Sequence, residues 1–207
     1  HTDLYSEHNG TRIPYSGGWH DAGDLSQQTL QTADVTFALL ESYRKALQSN
    51  PALASRLKEE ARWGLEFVMK NRYSDGYRAS SMGLLHWLDG VVGSKDDIKT
   101  VRIQNLPFDN FLYSGYEAYA ALILKEEDRK TYDRLVTIAE EDYRFAMEKY
   151  LKDGYAGFRQ PYEHQYNTSQ SQFMATASWA SSQLYLLTGN QYYADKAVEF
   201  IEYVLEC

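Results

Sequence analysis

Apolar side chains recur at helical spacing along most of the chain, in two alternating patterns. Residues from about 25 to 48 carry them on several faces, with Leu30, Phe37 and Leu40 among them. This pattern predicts a helix buried on more than one side, which suits an inner position. The next segment begins at Asn50-Pro51, a capping residue followed by proline, and has a single apolar stripe. We expect it to form a peripheral helix.

The same pairing of a richly apolar helix with a more charged one occurs again further along the chain. A third helix is expected from Asp109, as its N-cap, to about 125, and a fourth from about 128 to 150. A fifth covers about 169–187, and Thr188-Gly189-Asn190 reads as a helix end followed by the N-cap of a sixth. The chain therefore predicts three helical hairpins and little strand.

Two long segments, 72–107 and 150–168, separate the hairpins and are rich in Tyr, Trp, His and Gly. Repeated hairpins of an apolar and an amphipathic helix indicate either an α-solenoid or a closed helical toroid. A solenoid has short and similar turns, whereas long aromatic loops are typical of a binding face. The predicted fold class is all-α, and the loops favour the toroid.

Composition removes several classes of partner. The chain has 207 residues, 43% of them hydrophobic and 24% charged, which is enough to form a globular core. The net charge is −8, and Lys and Arg are scattered, so we expect no nucleic-acid binding. No window is apolar enough for a membrane span, the first 20 residues lack a signal-peptide core, and the single cysteine, Cys207, forms no internal disulfide.

Candidate chemistry is concentrated before the first helix, where residues 17–24 read GGWHDAGD. The string places two carboxylates, Asp21 and Asp24, three residues apart in a glycine-rich loop flanked by aromatic side chains. Two carboxylates in such a position can orient a water molecule and remove a proton from it. Trp19 offers a flat apolar surface on which a sugar ring can stack.

The same carboxylates also have structural interpretations. Asp24-Leu25-Ser26-Gln27 fits a capping box at the start of the first helix, and Asp21 could close the preceding turn with Gly23. Capping and catalysis are compatible, because one oxygen can cap while the other faces a cleft. A calcium loop would need alternating oxygen ligands and a distal glutamate, which the string lacks. Gly17, Gly18 and Gly23 are expected to adopt backbone conformations closed to other residues.

GGWHDAGD resembles the signature segment of glycoside hydrolase family 9, the inverting β-glycanases of the cellulase type. The resemblance implies that Asp24 is the catalytic base and that Asp21 helps to hold the attacking water. It also implies an (α/α)6 barrel of twelve helices. The six predicted here would be about half of it, so that residues 1–207 are one partial catalytic domain, with an opening segment over 1–24 and hairpins over 25–207.

The resemblance further implies a polysaccharide or oligosaccharide substrate and a secreted, periplasmic or cell-surface location. It implies no cofactor, and a structural calcium ion is left as an open alternative. Its remaining partner would be the rest of the catalytic domain. In the family, the proton donor is a glutamate close to the end of that domain, and nothing in residues 1–207 matches it. The chain also departs from the family after DAGD, where Leu25-Ser26-Gln27-Gln28 replaces an aromatic residue or valine followed by lysine.

Further candidates for sugar binding fall in the loops. Trp19 and His20 adjoin the two carboxylates. The resemblance implies that His86 and Trp87, in the first long segment, are equivalent to sugar-contacting residues of the family. The second long segment clusters polar and aromatic side chains in a similar way, at Arg159, Tyr162 and His164. The alternative for the residues of both long segments is that they pack or hydrogen-bond the loops themselves.

Hydrolysis of β-1,4-glucan or hemicellulose with inversion is the first functional hypothesis. A glucuronyl hydrolase or lyase on a related helical barrel is the second, and it would need an arginine-lined cleft, for which Arg78, Arg102 and Arg159 are the residues to inspect. A helical module that binds a glycan or a protein without catalysis is the third. It predicts a long concave surface and no consequence when Asp21 and Asp24 are both replaced by Asn.

Overall fold

A computed structural model describes residues 4–23, 25–86, 89–155 and 169–206. In chain order they form β1 (Tyr5–His8), β2 (Thr11–Pro14), β3 (Gln27–Gln28), α1 (Thr29–Ser49), α2 (Pro51–Lys70), β4 (Arg78–His86), β5 (Ile98–Gln104), α3 (Pro107–Leu124), α4 (Arg129–Asp153), α5 (Gln170–Thr188) and α6 (Gln191–Leu205). The chain divides into two compact units, His1–Gln104 and Asn105–Cys207. None of the helices formed by the described residues is both long and apolar enough to cross a membrane.

The predicted helix boundaries are confirmed wherever a capping side chain defines them. Asn50 accepts a hydrogen bond from the Leu53 N–H at 3.1 Å, and Asp128 accepts one from the Thr131 N–H at 3.0 Å. Gly189 ends α5 in the left-handed region at φ 70°, and Asn190 then caps α6. These residues satisfy backbone groups that a helix end leaves unpaired. The hairpins α1/α2, α3/α4 and α5/α6 follow from these caps.

Two predicted helix starts are wrong. Helix α3 begins at Pro107, so Asp109 lies in its first turn and is not the N-cap, because proline at the first position already supplies the helical φ. Helix α1 begins at Thr29, and Gln28 at its N-cap position makes no capping side-chain bond. Gln27 pairs with Met82 in the sheet, so it does not lie in the first turn of α1, where the predicted capping box would place it.

The segment 72–107, predicted as a loop, contains an antiparallel hairpin of β4 and β5, to which β3 adds a third strand. Ala79 and Met82 of β4 are buried with Tyr15 and Phe67 in a small core cluster. Bulges between residues 79 and 81 and between 84 and 86 interrupt the register. An interrupted register breaks the alternation of apolar and polar positions by which a strand is recognised in a sequence.

The strands β1 and β2 form a separate two-stranded hairpin, with Tyr5 opposite Pro14 and His8 opposite Thr11. Its turn is Asn9-Gly10, and both residues have positive φ, 48° and 77°. Asn-Gly is the dipeptide that favours this kind of tight turn. The hairpin was therefore readable from the sequence, although it was not predicted.

Helix α1 buries one face in its unit, against α2 and the sheet, with Leu30, Ala33 and Leu40 among the buried residues. Val35 and Leu47 are 45% and 46% exposed, so the prediction that α1 is buried on more than one side is wrong within this unit. Of the apolar stripe predicted for α2, Ala61, Leu65 and Val68 are buried, whereas Leu53 in the first turn is 42% exposed.

The second unit is built around α3, which packs against α4 and α5, while α5 packs against α6. Phe111 of α3 is fully buried and meets Tyr143, Phe173 and Phe200 edge to face, at ring distances of 5.2, 5.6 and 5.9 Å. Edge-to-face contacts of this kind add to the stability that burial gives. The predicted pairing of an apolar inner helix with a more charged partner is confirmed for α3 and α4.

Candidate functional site

The loop that carries the motif is held by side chains bonded to three successive backbone carbonyls. Lys70 of α2 donates to the carbonyl of Ser16, and Gln27 of β3 donates to that of Gly17. Trp63 of α2 donates from Nε1 to the carbonyl of Gly18 at 3.2 Å. Partial burial lowers the pKa of Lys70, against the opposing effect of Glu66. The loop position is thus set by both α2 and the sheet.

Gly18 is a position where only glycine fits. Its φ is +66°, and a Cβ there would lie 2.5 Å from Gln27 Nε2 and 2.8 Å from the ring of Phe67. Gly17 also has positive φ, at 96°, so the expectation is confirmed for both residues. It is wrong for Gly23, whose φ lies outside the left-handed region. Leu25 adopts that region instead, at φ 61°, which is unusual for a residue with a side chain.

Trp19 is anchored to α2. Its Nε1 donates to Glu60 Oε1 at 2.9 Å, and its ring packs against Gly64, where a Cβ would lie 2.4 Å from the ring. The glycine therefore provides the notch into which the indole fits. Trp19 is half-buried, so part of the indole remains exposed to a ligand.

The loop closes on itself around His20 and Asp21. His20 Nδ1 donates to the carbonyl of Leu25 at 2.9 Å, and the Asp21 N–H donates to the carbonyl of Ser26 at 3.0 Å. The side chains of His20 and Asp21 are exposed. Among the described residues, none donates a hydrogen bond to the Asp21 carboxylate, so its oxygens are available to water.

A cavity of about 290 Å³ joins this loop to the first helix. It is lined by Trp19, His20 and Asp21 of the loop and by three residues of α1, namely Gln31, Thr32 and Val35. The hydroxyl of Thr32 is buried and bonds to no group in the described part of the chain. Sequence reasoning missed the α1 residues, although their spacing places them on one helix face directly after the motif.

The structure brings together Trp19, His20 and Asp21 of the predicted site. Asp24 lies outside the described residues, as do Trp87, Arg159, Tyr162 and His164. His86 is the last residue of β4, and its side chain is likewise outside the described part. No geometry is therefore assigned to these six.

Two of the three arginines named for an acidic-sugar site, Arg78 and Arg102, do not line the cavity at the motif. Arg78 is buried, and its Nη1 donates to the carbonyl of Val68 at 2.6 Å, so it supports the fold. Arg102 lies in β5 opposite Ser81. Considering the described residues alone, no Lys or Arg lines the cavity at the motif. The described lining therefore offers no Lys or Arg to a carboxylate of a substrate.

A larger and more open groove, of about 530 Å³, lies along the exposed side of α2. Its lining is mostly charged and contains no residue of the motif: Arg56, Glu59, Glu60, Arg62, Trp63 and Glu66. Catalysis on a neutral sugar needs carboxylates at a concave site with apolar surface. The smaller cavity at the motif meets that description better.

Comparison with known proteins gives one family. The family model described as Glycosyl hydrolase family 9 matches residues 1–205. No curated protein sequence matches the chain.

Solved structures share the fold. A metagenome-derived glycoside hydrolase family 9 endoglucanase is 24% identical with a TM-score of 0.73, over 93% of this chain and 37% of its own. The cellulase Cel9M of C. cellulolyticum is 16% identical with a TM-score of 0.71, over 92% of this chain and 45% of its own. Endoglucanase CelQ from Clostridium thermocellum, in a complex with cellotetraose, is 20% identical with a TM-score of 0.65, over 88% and 30%.

These likenesses confirm the predicted all-α fold of helical hairpins, part of an (α/α)6 barrel. The chain spans less than half of the length of each of these three proteins.

Proposed function

The chain belongs to glycosyl hydrolase family 9, and on this premise we propose that the protein containing it hydrolyses β-glycosidic bonds of a polysaccharide or oligosaccharide. The observation that carries the proposal is the cavity at the motif, where the Asp21 carboxylate is exposed beside His20 and Trp19. A β-1,4-glucan or a hemicellulose is the proposed substrate class. The absence of Lys and Arg from the described lining favours such a neutral sugar over a uronic acid.

The proposed reaction proceeds with inversion. Asp24 acts as general base and takes a proton from water, whose oxygen attacks the anomeric carbon from the face opposite the leaving group. Asp21 accepts a hydrogen bond from the other O–H of that water and so orients it. A protonated glutamate, outside residues 1–207, donates its proton to the glycosidic oxygen as the bond breaks. In inverting enzymes the acid and the base are about 6.5–9.5 Å apart, which leaves room for the water.

The loop supports this role because its backbone is fixed on both sides of the carboxylates. Carbonyls 16–18 are held by side chains of α2 and β3, and Leu25 and Ser26 bond back to His20 and Asp21. Groups held in advance of the reaction need no reorganisation when the transition state forms. The exposed part of Trp19 would contact the sugar ring, with the His20 side chain beside it in the same cavity.

The proposed location follows from the substrate. A polysaccharide is too large to cross a membrane unaided, so the enzyme would be secreted, periplasmic or on the cell surface. Its proposed partner is the rest of its own catalytic domain, which would contribute the acid and the remaining subsites.

The test uses the full-length protein on a panel of β-glucans and hemicelluloses. Asp24→Asn should lower kcat by about 1,000-fold or more while substrate binding persists, because the base is lost and the loop stays in place. Asp195→Asn, an exposed carboxylate on α6, is the matched control and should leave kcat unchanged. NMR of the first product should show the α-anomer from a β-bond. Undiminished turnover in Asp24→Asn, or a β-anomer, would overturn the proposal.

A further inference from the structure

Three carboxylates converge in the segment that joins β4 to β5. Asp89, Asp96 and Asp97 each offer an oxygen, and these oxygens all lie within 4.8 Å of one another. We propose that they bind a calcium ion, which fixes this segment against the loop of the motif. The proposal does not depend on the proposed function, because it concerns binding and stability.

Asp97 supplies the observation that points to a cation. Its side chain is only 8% exposed, and Oδ2 accepts a hydrogen bond from the Gly93 N–H at 2.6 Å. Its Oδ1 is buried and accepts no bond from any group that the structure describes. A buried charged oxygen without a donor is costly, and nearly all buried polar atoms in proteins have a partner. A cation supplies the missing interaction.

Asp89 and Asp96 are the two exposed carboxylates of the cluster, and the hydrogen bonds that they accept do not neutralise their negative charge. Asp89 Oδ1 accepts from the Val91 N–H at 2.8 Å and from the Ser94 hydroxyl at 3.3 Å. The Ser94 hydroxyl also contacts Asp96 Oδ1, and its single proton serves only one of the two carboxylates at a time. Within the described residues, neither Lys nor Arg forms an ion pair with any of the three. Three negative charges at this spacing repel one another unless a cation lies between them.

The ligand set favours calcium. All three ligands are carboxylate oxygens, which suit hard cations, whereas zinc prefers nitrogen and sulfur. Calcium binds oxygen at about 2.3–2.6 Å, so two opposite ligands stand up to about 5 Å apart, and magnesium at about 2.0–2.1 Å reaches only about 4.2 Å. Calcium also accepts irregular geometry with six to eight ligands. Water and backbone carbonyls of the segment would complete the coordination.

The site is linked to the motif through Gly93. This residue has φ +90°, and a Cβ on it would lie 2.9 Å from Leu25 Cδ1, so its backbone packs directly against the Leu25 side chain. Leu25 follows Asp24 and holds His20 through its carbonyl. Because Gly93 also donates to Asp97, a cation on Asp97 would fix the surface against which Leu25 rests. The bound ion would therefore stabilise the motif loop as well as its own segment.

The experiment measures calcium binding by calorimetry and thermal unfolding on the full-length protein after treatment with EDTA. The wild type should bind with a Kd of about 10⁻⁴–10⁻³ M, and about 10 mM CaCl₂ should raise its Tm by about 1–3 °C. Asp97→Asn should lose this site and its Tm shift. The exposed ligand variant Asp96→Asn should fold normally and weaken binding by about 10-fold or more, while Asp195→Asn, remote in sequence, should bind as the wild type does.

The sign of the effect separates a cation site from a merely structural carboxylate. Without calcium, Asp97→Asn should be at least as stable as the wild type, because it removes an uncompensated buried charge. With calcium, it should be less stable. If Asp97→Asn lowers the Tm equally in EDTA and in calcium, or if Asp96→Asn binds as tightly as the wild type, the proposal is wrong. Calcium bound elsewhere in the full-length protein affects the wild type and the variants alike, so the difference between them is assigned to this site.

Discussion

Gly18 has to satisfy a backbone and a packing requirement together. Its left-handed φ is costly for a residue with a Cβ, and the space where that Cβ would lie is already occupied by Gln27 and Phe67. Those two neighbours are themselves fixed, since Gln27 is bonded to Gly17 and Phe67 belongs to the buried cluster around Tyr15. A side chain at position 18 would therefore move the loop and leave its supports in place.

Gly18→Ala should consequently destabilise the protein by about 1–3 kcal/mol and lower kcat/KM by about 10-fold or more, because the carboxylates would be displaced. Gly23→Ala in the same loop is the matched control. Its φ lies outside the left-handed region and no heavy atom lies within 4 Å of the added Cβ, so its stability should change by less than about 0.5 kcal/mol. Thermal unfolding and steady-state kinetics of both variants test this, and equal effects would contradict it.

At the scale of elements, the β1–β2 hairpin is tied to the turn after α2 through Asp75. Its Oδ2 accepts from His8 Nε2 at 2.7 Å and from Asn9 Nδ2 at 3.0 Å. The His8 ring also lies 5.1 Å from that of Tyr73 and 4.2 Å from that of Tyr77. One carboxylate thus links the hairpin turn to a second turn that follows the last residue of α2.

Burial tends to raise the pKa of Asp75, but the hydrogen bonds from His8 and from the Tyr77 N–H outweigh it, so the pKa lies below its ordinary value of 3.8. The folded state therefore favours the ionised form. The stability that this carboxylate contributes is present above pH 3.8 and is lost as the pH falls through the lower, folded-state pKa.

Asp75→Asn should therefore lower stability at neutral pH, by less than about 1 kcal/mol because the carboxylate is 40% exposed and screened by solvent. The difference from the wild type should shrink as the pH falls below the ordinary pKa of Asp. Urea unfolding across that range measures it. Asp133→Asn, which removes an exposed pair with Arg129 inside α4, is the control and should have almost no effect. A difference that grows towards acid pH would be inconsistent with this account.

Elements differ in how far the sequence determines them. Helices with a local capping residue, such as Asn50 and Asp128, were predicted within a few residues because the interaction that ends them lies within the same turn. Strand β4 was not predicted, because its partners are distant in the chain: Gln27 lies opposite Met82, and Arg78 lies opposite Gln104. The start of α1 was misplaced for the same reason, since the pairing of β3 takes residues that a helix could also have used.

At the scale of the whole molecule, the proposed site divides between what residues 1–207 supply and what the proposed remainder of the domain would supply. The sequence predicted the loop with Trp19, His20 and Asp21, because a contiguous motif encodes it. It did not identify Thr32 and Val35, which reach the same cavity only once α1 has folded beside the loop. The proton donor of the proposed reaction has no match here, and the chain spans 37% of the family 9 endoglucanase of metagenomic origin.

This division predicts how the leaving group of the substrate changes the effect of a substitution on kcat of the full-length protein. A dinitrophenyl glycoside releases dinitrophenolate, which leaves without being protonated, so loss of the acid spares hydrolysis of this substrate. Loss of the base slows its hydrolysis as much as that of the natural glycan. Asp24→Asn should therefore lower kcat on both substrates by the same factor. No carboxylate within residues 1–207 should be required for hydrolysis of the glycan and yet dispensable for hydrolysis of the dinitrophenyl glycoside.

Glu117 is the informative case within the chain, because its carboxyl is fully buried in α3 and it is the candidate to examine if the acid were to lie within residues 1–207. We expect Glu117→Gln to alter stability and to change kcat on the two substrates in parallel. If the variant lost turnover on the glycan but kept it on the dinitrophenyl glycoside, the acid would lie within this chain. Residues 1–207 would then hold both halves of the proposed site, and the assignment of the acid to the remainder of the domain would be wrong.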